Sequence, residues 1–408
     1  MMPDIYNSEK PLIMHVDLNS AFATIEQQSR PLLRGQPVAI VNRRTVHTCI
    51  VAASYEAKIL GVKVGMSFVE ASRLCSGLIA VESDPNKYRF VYRKLMAILN
   101  DYSPHVVMKS IDEGVMDFHN MPNLRPLVEI GYEIKQRLRD EIGVAMRCNV
   151  GIGPNRFLAK TAAGLHKPNG LDIIDSRNLR KVYESMRLTD LTGIAGAMEK
   201  RLNAVEIYKP IEFLDASKVA LQKVVFKSIV GSQWYDRLRG YEVDDTVNTT
   251  KTVGRQYVLE RRDLKRAEII ARLHNLCESV GSRLRSQRKV ARGLYIYAKT
   301  EDRHYWHSSR MCQLPFYSDI TINTLAQQLF FKAPDQIKEI GLHCYELSDN
   351  DNTQMSLFND QLMREQQLTD AIDVINQQFG ERMIHSASTL GTNKIVKQKV
   401  PFGSTRYL

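Results

Sequence analysis

Two adjacent carboxylates, Asp112 and Glu113, sit inside the run Ser110-Ile111-Asp112-Glu113-Gly114, between Val106-Val107-Met108 and Val115-Met116. The flanks have a strand pattern, and neighbouring strand residues point to opposite faces, so one acid of the pair is directed towards a core. Burying an unpaired carboxylate costs several kcal/mol, roughly, unless a cation or donor meets it. A third acid, Asp17, ends another strand-like run, Leu12-Ile13-Met14-His15-Val16. Three carboxylates on strand ends are what a pair of hard divalent cations needs. Alone, an Asp-Glu pair at a strand end is usually just solvated, so the rest of the chain must decide.

At 408 residues the chain exceeds one hydrophobic core, which predicts two to four domains. No apolar run approaches the roughly 20 residues of a membrane span, and the N-terminus lacks the basic start and apolar stretch of a signal peptide. Six scattered cysteines without a Cys-x-x-Cys indicate neither a zinc site nor a disulfide framework. A reducing cytoplasm is the expected compartment. The net charge of +11 is uneven: Lys251–Arg310 holds 15 Lys or Arg against 6 Asp or Glu. Tyr257, Tyr295, Tyr297, Tyr305 and Trp306 are interleaved with these cations, an electrostatic footprint for nucleic acid.

Periodicity predicts a strand at 12–17, a helix at 19–29, strands at 37–41 and 49–52, and a helix ending at Gly61. Helices are expected over 85–101 and 125–142 and from Asn155, with a strand pair across 105–118 and a strand at 145–151. That order suits an α+β sheet with helices on one face. From about 176 the chain turns helical. Leu191-Thr192-Gly193-Ile194-Ala195-Gly196 leads into a helix, Ala197–Val205, whose exposed N–H groups suit a DNA phosphate. The basic stretch then predicts strand, helix, strand, strand, helix, strand over 252–345. Residues 348–353 have the composition of a disordered linker.

With these pieces placed, the chain resembles a Y-family (translesion) DNA polymerase over about residues 12–346, of the bacterial polymerase IV or polymerase V type. Val16-Asp17-Leu18-Asn19-Ser20-Ala21-Phe22-Ala23 resembles the family's first metal motif, Ser110–Glu113 its second and Gly151–Lys160 its third. Lys167-Pro168-Asn169-Gly170 is a further family signature. The resemblance implies an α+β multidomain, right-hand polymerase with a ferredoxin-like palm, small fingers, a helical thumb with a helix-hairpin-helix, and an α/β little finger. The expected limits are palm 1–30 and 81–175, fingers 31–80, thumb 176–245, little finger 250–346, and a tail over 347–408.

The resemblance also implies site residues. Asp17, Asp112, Glu113 and the Leu18 carbonyl would hold two Mg²⁺ ions at the catalytic centre, with primer-template DNA and a dNTP as substrates. Lys160, Tyr55 and Lys58 would meet the triphosphate. Lys58 stands where most relatives carry Arg, which keeps the charge but loses the bidentate fork. Phe22, five residues after Asp17, matches the aromatic steric gate against a ribose 2′-hydroxyl. Asn19, Ala21 and Gly114 depart from the commoner acidic, aromatic and alanine residues. Small residues Ala52, Ala53 and Gly65 near the nascent pair imply an open pocket and low fidelity.

Gly193, Gly196, Lys251, Arg255 and Arg292 are candidate DNA contacts. Gln354-Met355-Ser356-Leu357-Phe358 resembles the peptide that bacterial polymerases insert into the sliding clamp, with Leu357 and Phe358 filling a groove and Gln354 fixing register. The tail beyond it is expected to be an interaction segment or an extra DNA contact. The implied setting is SOS mutagenesis in the cytoplasm at the nucleoid, with accessory SOS proteins as partners and no membrane. Two other readings remain: a nucleotide cyclase, disfavoured by the hairpin, basic unit and clamp-type peptide, and a non-catalytic clamp-bound scaffold, disfavoured by the intact acid trio.

Overall fold

In a computed structural model, which describes residues 6–45, 48–122, 125–245, 249–261, 263–302, 304–350, 360–380, 382–392 and 396, the chain divides into two compact units, residues 1–246 and 247–398. Along the first run β1 (Ile13–Leu18), α1 (Ala21–Ser29), β2 (Val38–Val41), β3 (Ile50–Ala53), α2 (Tyr55–Ile59), α3 (Phe68–Leu74), β4 (Ile79–Glu82) and α4 (Pro85–Asn100). There follow β5 (His105–Met108), β6 (Glu113–Asp117), α5 (Leu127–Glu141), β7 (Cys148–Gly153), α6 (Arg156–Leu165) and β8 (Leu171–Ile173). Five strands make one sheet in the order β5-β6-β1-β7-β8, with β1 at the centre, antiparallel to both β6 and β7. β2, β3 and β4 form a separate three-stranded sheet, in which β4, not anticipated from the sequence, pairs parallel to β2.

The central sheet is covered on both faces, not one. Met14, Val16 and Leu18 join Leu95, Ile98 and Leu99 of α4 and Ile134 and Leu138 of α5 in one core. The opposite face takes α6, where Ile13, Val115 and Ala159 meet. The Gly-x-Gly of β7 explains that packing, because alternate strand residues share a face. A Cβ on Gly151 would stand 2.0 Å from the Ala159 carbonyl oxygen, and one on Gly153 would stand 2.6 Å from the Ala159 nitrogen. Only glycine lets the helix backbone rest on the strand there. The chain then continues through α7 (Leu179–Ser185), α8 (Gly196–Asn203), α9 (Pro210–Asp215), α10 (Lys218–Ala220) and α11 (Ile229–Leu238), around a core with Tyr183, Phe213 and Trp234.

The second unit comprises β9 (Thr252–Val258), α12 (Arg266–Ser286), β10 (Lys289–Thr300), β11 (Tyr305–Phe316), α13 (Asp319–Phe330), β12 (Ile337–Asp349) and α14 (Asp360–Phe379). Its sheet has the order β11-β10-β12-β9, antiparallel throughout, with α12 and α13 against one face. β12 runs to Asp349, which pairs with Lys289, so Ser348 and Asp349 are strand where the composition predicted linker. α14 and the described residues after it pack on this unit: Arg285 of α12 pairs with Asp373 of α14 and Asp319 of α13, while Arg382 pairs with Glu278. Among the described residues no helix is long and apolar enough to cross a membrane.

Candidate active site

Strand alternation puts Ile13, His15 and Asp17 on the face of β1 that α6 partly covers. Asp17 lies directly across from Glu113 of β6 on one side and Asn149 of β7 on the other. Asp112 stands in the bend just before β6, where its carbonyl accepts the Leu18 N–H at 2.9 Å. The acid pair therefore opens a strand instead of interrupting one, and Glu113, not Asp112, takes the face shared with α6.

Each acid has its own partner. Glu113 accepts Lys160 Nζ at 3.0 and 2.8 Å and lies 3.2 Å from His15 Nε2. Burial pushes the Glu113 carboxyl up, but His15 and Lys160 outweigh it and hold the group down at about 2. Asp112 moves the other way. Its burial raises it, with the charges of Asp17 and Glu113 adding, against a 2.5 Å hydrogen bond from Ser110 Oγ. Asp17 pairs with Lys167, and although burial lowers the Lys167 ammonium, Asp17 raises it further.

Among the described residues no three His, Cys, Asp or Glu side chains are gathered around one point as a finished metal cage. Asp17 is drawn to Lys167 and Glu113 to Lys160 and His15. The donor set nevertheless fits hard cations: three carboxylates and the Leu18 carbonyl, all oxygen, on neighbouring strand ends. Burial is the main cause of the raised Asp112 carboxyl, and the charges of Asp17 and Glu113 add a smaller repulsion that bound cations would relieve.

Beside the acids lies a cationic and phenolic cluster. Ser54 caps α2, accepting the Ala57 N–H, and the helix presents Tyr55 and Lys58. Lys58 Nζ donates to Ser20 Oγ at 2.7 Å and lies 4.9 Å from the Tyr55 ring centroid. Burial lowers the Lys58 ammonium and the charge of Lys167 adds to that, with Asp17 opposing. Lys160, expected at the triphosphate, lies in the second turn of α6 and is engaged by Glu113. Phe22, 5% exposed, belongs to the main core and stacks on Tyr88, with ring centroids 4.2 Å apart. A Cβ on Gly114 would meet Leu99 Cδ1 at 2.7 Å and Met108 Sδ at 2.9 Å, both ends of flexible side chains that can move aside.

Two neighbours of the acids escaped the sequence reading. His15 was marked only by sharing the alternation of Asp17, and Lys167 only by its place in the Lys167–Gly170 signature. Their partners are 98 and 150 residues away in the chain, so no local pattern discloses them.

Among candidate nucleic-acid contacts, Gly193 adopts φ 96° and rests on the Trp234 ring, while Gly196 opens α8. Lys251 and Arg292 are exposed, Arg292 at a bulge between β10 and β11. Arg255 turns to Ser279 of α12, away from the sheet's open face. That face carries Tyr295 stacked between His307 and His343, with ring centroids 5.3 and 4.6 Å away. Gln354, Leu357 and Phe358 lie outside the described residues, as does the basic end of the tail.

Residues 16–164 match the impB/mucB/samB family and residues 250–357 its C-terminal domain. The chain is 31% identical over 399 residues to DNA polymerase IV of Pelotomaculum thermopropionicum, covering 95% of this chain and 97% of that one. To DNA polymerase IV of Moorella thermoacetica it is 32% identical over 391 residues, covering 93% and 96%. Among solved structures, a Y-family DNA polymerase chimera of Dbh and Dpo4 superposes with a TM-score of 0.71 at 22% identity, covering 83% of this chain and 99% of the other. The insertion ternary complex of Dbh DNA polymerase gives 0.58 at the same identity and coverage.

Proposed function

This chain belongs to the Y family of DNA polymerases, and on that premise we propose that it extends a primer by two-Mg²⁺ nucleotidyl transfer from a dNTP while tethered to the bacterial sliding clamp. It is a DNA-directed DNA polymerase of the translesion class. The observation that carries the mechanism is Asp17 set across from Glu113 with Asp112 alongside, bordered by Lys160, Lys167, Lys58 and Tyr55.

Asp17, Asp112, Glu113 and the Leu18 carbonyl would hold the two ions. When bound, they supply Lewis-acid stabilisation to the attacking and leaving oxygens of an in-line displacement. The chain's own groups do the rest. Lys58 and Lys167, with the Tyr55 hydroxyl, receive the triphosphate and neutralise its charge. Lys160 and His15 fix the Glu113 carboxylate in its ionised form. The Phe22 ring, braced by Tyr88, fills the space a 2′-hydroxyl would need. Ala52, Ala53 and Gly65 leave the base-pair pocket loose, which lowers discrimination between right and wrong pairs.

In this reading residues 1–30 and 81–175 are the palm, 31–80 the fingers, 176–245 the thumb and 250–346 the little finger. Gly193 and Gly196 offer backbone N–H groups to a DNA phosphate, and Lys251 and Arg292 add charge. Gln354, Leu357 and Phe358 dock on the clamp, which raises the local concentration of polymerase at the primer end.

Asp112→Ala is the direct test. Template-dependent primer extension is abolished while DNA affinity stays within about twofold, since no DNA contact is removed. Extension surviving in that variant overturns the ligand assignment. Alanine at both Leu357 and Phe358 removes stimulation by the clamp and spares clamp-free synthesis. Equal loss in both assays overturns the tether.

A further inference from the structure

We propose that Asn19 and Asn149 are positioning residues that hold the Lys167 loop, and with it the Lys167 ammonium, at the nucleotide-phosphate side of the site. Asn19 is 3% exposed and Asn149 is fully buried, so every polar atom on them needs a partner. They find those partners in each other and in the loop. Asn19 Nδ2 donates to Asn149 Oδ1 at 2.6 Å. The Asn169 N–H is shared between Asn19 Oδ1 at 2.8 Å and Asn149 Oδ1 at 2.9 Å. Asn149 Nδ2 donates to the His166 carbonyl at 3.2 Å.

Lys167 is thus gripped on both sides, through His166 before it and Asn169 after it. Asn169 holds φ 64°, and Lys135 Nζ donates to its carbonyl at 3.0 Å. Asn19 itself is fixed through its backbone, its N–H donating to Arg147 at 2.9 Å and its carbonyl accepting Thr24 Oγ1 at 2.6 Å. The anchor is therefore rigid, and it begins two residues after Asp17, the acid on which Lys167 rests. An amide suits the place: it accepts from Asn169 and donates to Asn149 at once, where an alanine would do neither.

This role rests on the reading of Lys167 as a triphosphate contact, and a double-mutant cycle separates the two. Single-nucleotide extension is measured for wild type, Asn19→Ala, Lys167→Ala and the double variant, with Asn19→Asp as the conservative replacement and thermal melting as the control for folding. Asn19→Ala is expected to raise KM for the dNTP about tenfold with kcat within about threefold, because it loosens a binding group and removes none of the groups proposed to hold the metals. In the Lys167→Ala background the same change adds nothing. Asn19→Asp keeps the acceptor for the Asn169 N–H but loses the donor to Asn149, so its KM falls between those of wild type and Asn19→Ala.

Additive effects of Asn19→Ala and Lys167→Ala overturn the positioning role. So does a fall in kcat with unchanged KM. If Lys167→Ala itself leaves KM unchanged, the phosphate reading fails and this role falls with it. If Lys167→Ala raises KM and Asn19→Ala does not, only the positioning role is lost.

Discussion

Phe22 lies face to face on Tyr88, the ring planes only 11° from parallel, and the Tyr88 hydroxyl donates to the buried Glu26 at 3.3 Å. A ring packed this way, 5% exposed and stacked on Tyr88, is braced against yielding to a bulkier sugar. Phe22→Ala should therefore raise the ratio of ribonucleotide to deoxynucleotide kcat/KM roughly 10- to 100-fold, the scale on which one polar or steric contact sorts close analogues. Steady-state incorporation of matched ribo- and deoxynucleotides checks this. An unchanged ratio removes Phe22 from sugar selection and leaves it a core residue.

Gly151 supplies a second expectation, because the α6 backbone rests on it. Gly151→Ala drives a methyl to within 2.0 Å of the Ala159 carbonyl and 2.2 Å of the Ala163 nitrogen, neither of which can rotate away. The helix must move off β7 and carry Lys160 from Glu113. Overpacking of this kind costs about 3 kcal/mol, and chemical denaturation followed by Trp234 fluorescence in the first unit measures it. Primer extension should fall in parallel. A variant as stable and active as wild type would show that α6 does not depend on that contact.

The periodic elements were legible because they obey period two or 3.6 over enough residues: β1, α4, α5, β7 and every strand and helix from β9 to β12 lie within a few residues of their predicted places. The same holds for the acid trio, since Asp17, Asp112 and Glu113 stand in motifs tied to strand ends. Short pieces failed, as with β8, three residues long, and with β4, four residues long and paired parallel to β2. The packing of α6 on the second face of the sheet was missed although Gly151 and Gly153 recorded it, because a glycine pair signals a close approach without saying which element approaches. The Asn19–Asn149 contact spans 130 residues, and nothing local distinguishes a buried asparagine from a turn residue.

Glu113 gives the first unit a pH dependence whose sign is fixed. Its folded pKa, about 2, lies below the ordinary 4.5, so the folded state favours the carboxylate. The stabilisation is fully present above pH 4.5 and is lost as pH falls towards 2, because the unfolded chain takes up the proton first. A shift of that size corresponds to about 3 kcal/mol. Glu113→Gln has no carboxylate to protonate, so the stability gap between wild type and this variant should narrow by about that amount between pH 6 and pH 2. Urea unfolding at a series of pH values measures it, and a constant gap would show that His15 and Lys160 do not hold the carboxylate.

α14 and the described residues from 382 to 392 and 396 pack on the helices of the second unit, and their attachment is testable. Arg285 is a largely shielded guanidinium gripped by Asp319 at 2.8 Å and by Asp373 at 2.5 and 2.9 Å. Glu278 makes a second anchor, pairing with Arg382 and accepting the Ser386 N–H at 2.9 Å, and Val396 closes into the core of α12 and α13. Asp373→Ala leaves half of the Arg285 fork without an acceptor away from water, which should destabilise this unit by about 1–3 kcal/mol. Trp306, which meets Phe330 of α13 edge to face, is the reporter within the same unit, whereas Trp234 belongs to the other. The expected result is a lower melting point by Trp306 emission and an unchanged one by Trp234, and ending the chain at residue 359 should lower the first further. An unshifted Trp306 transition in both variants would mean that the tail rests on the helices without stabilising them.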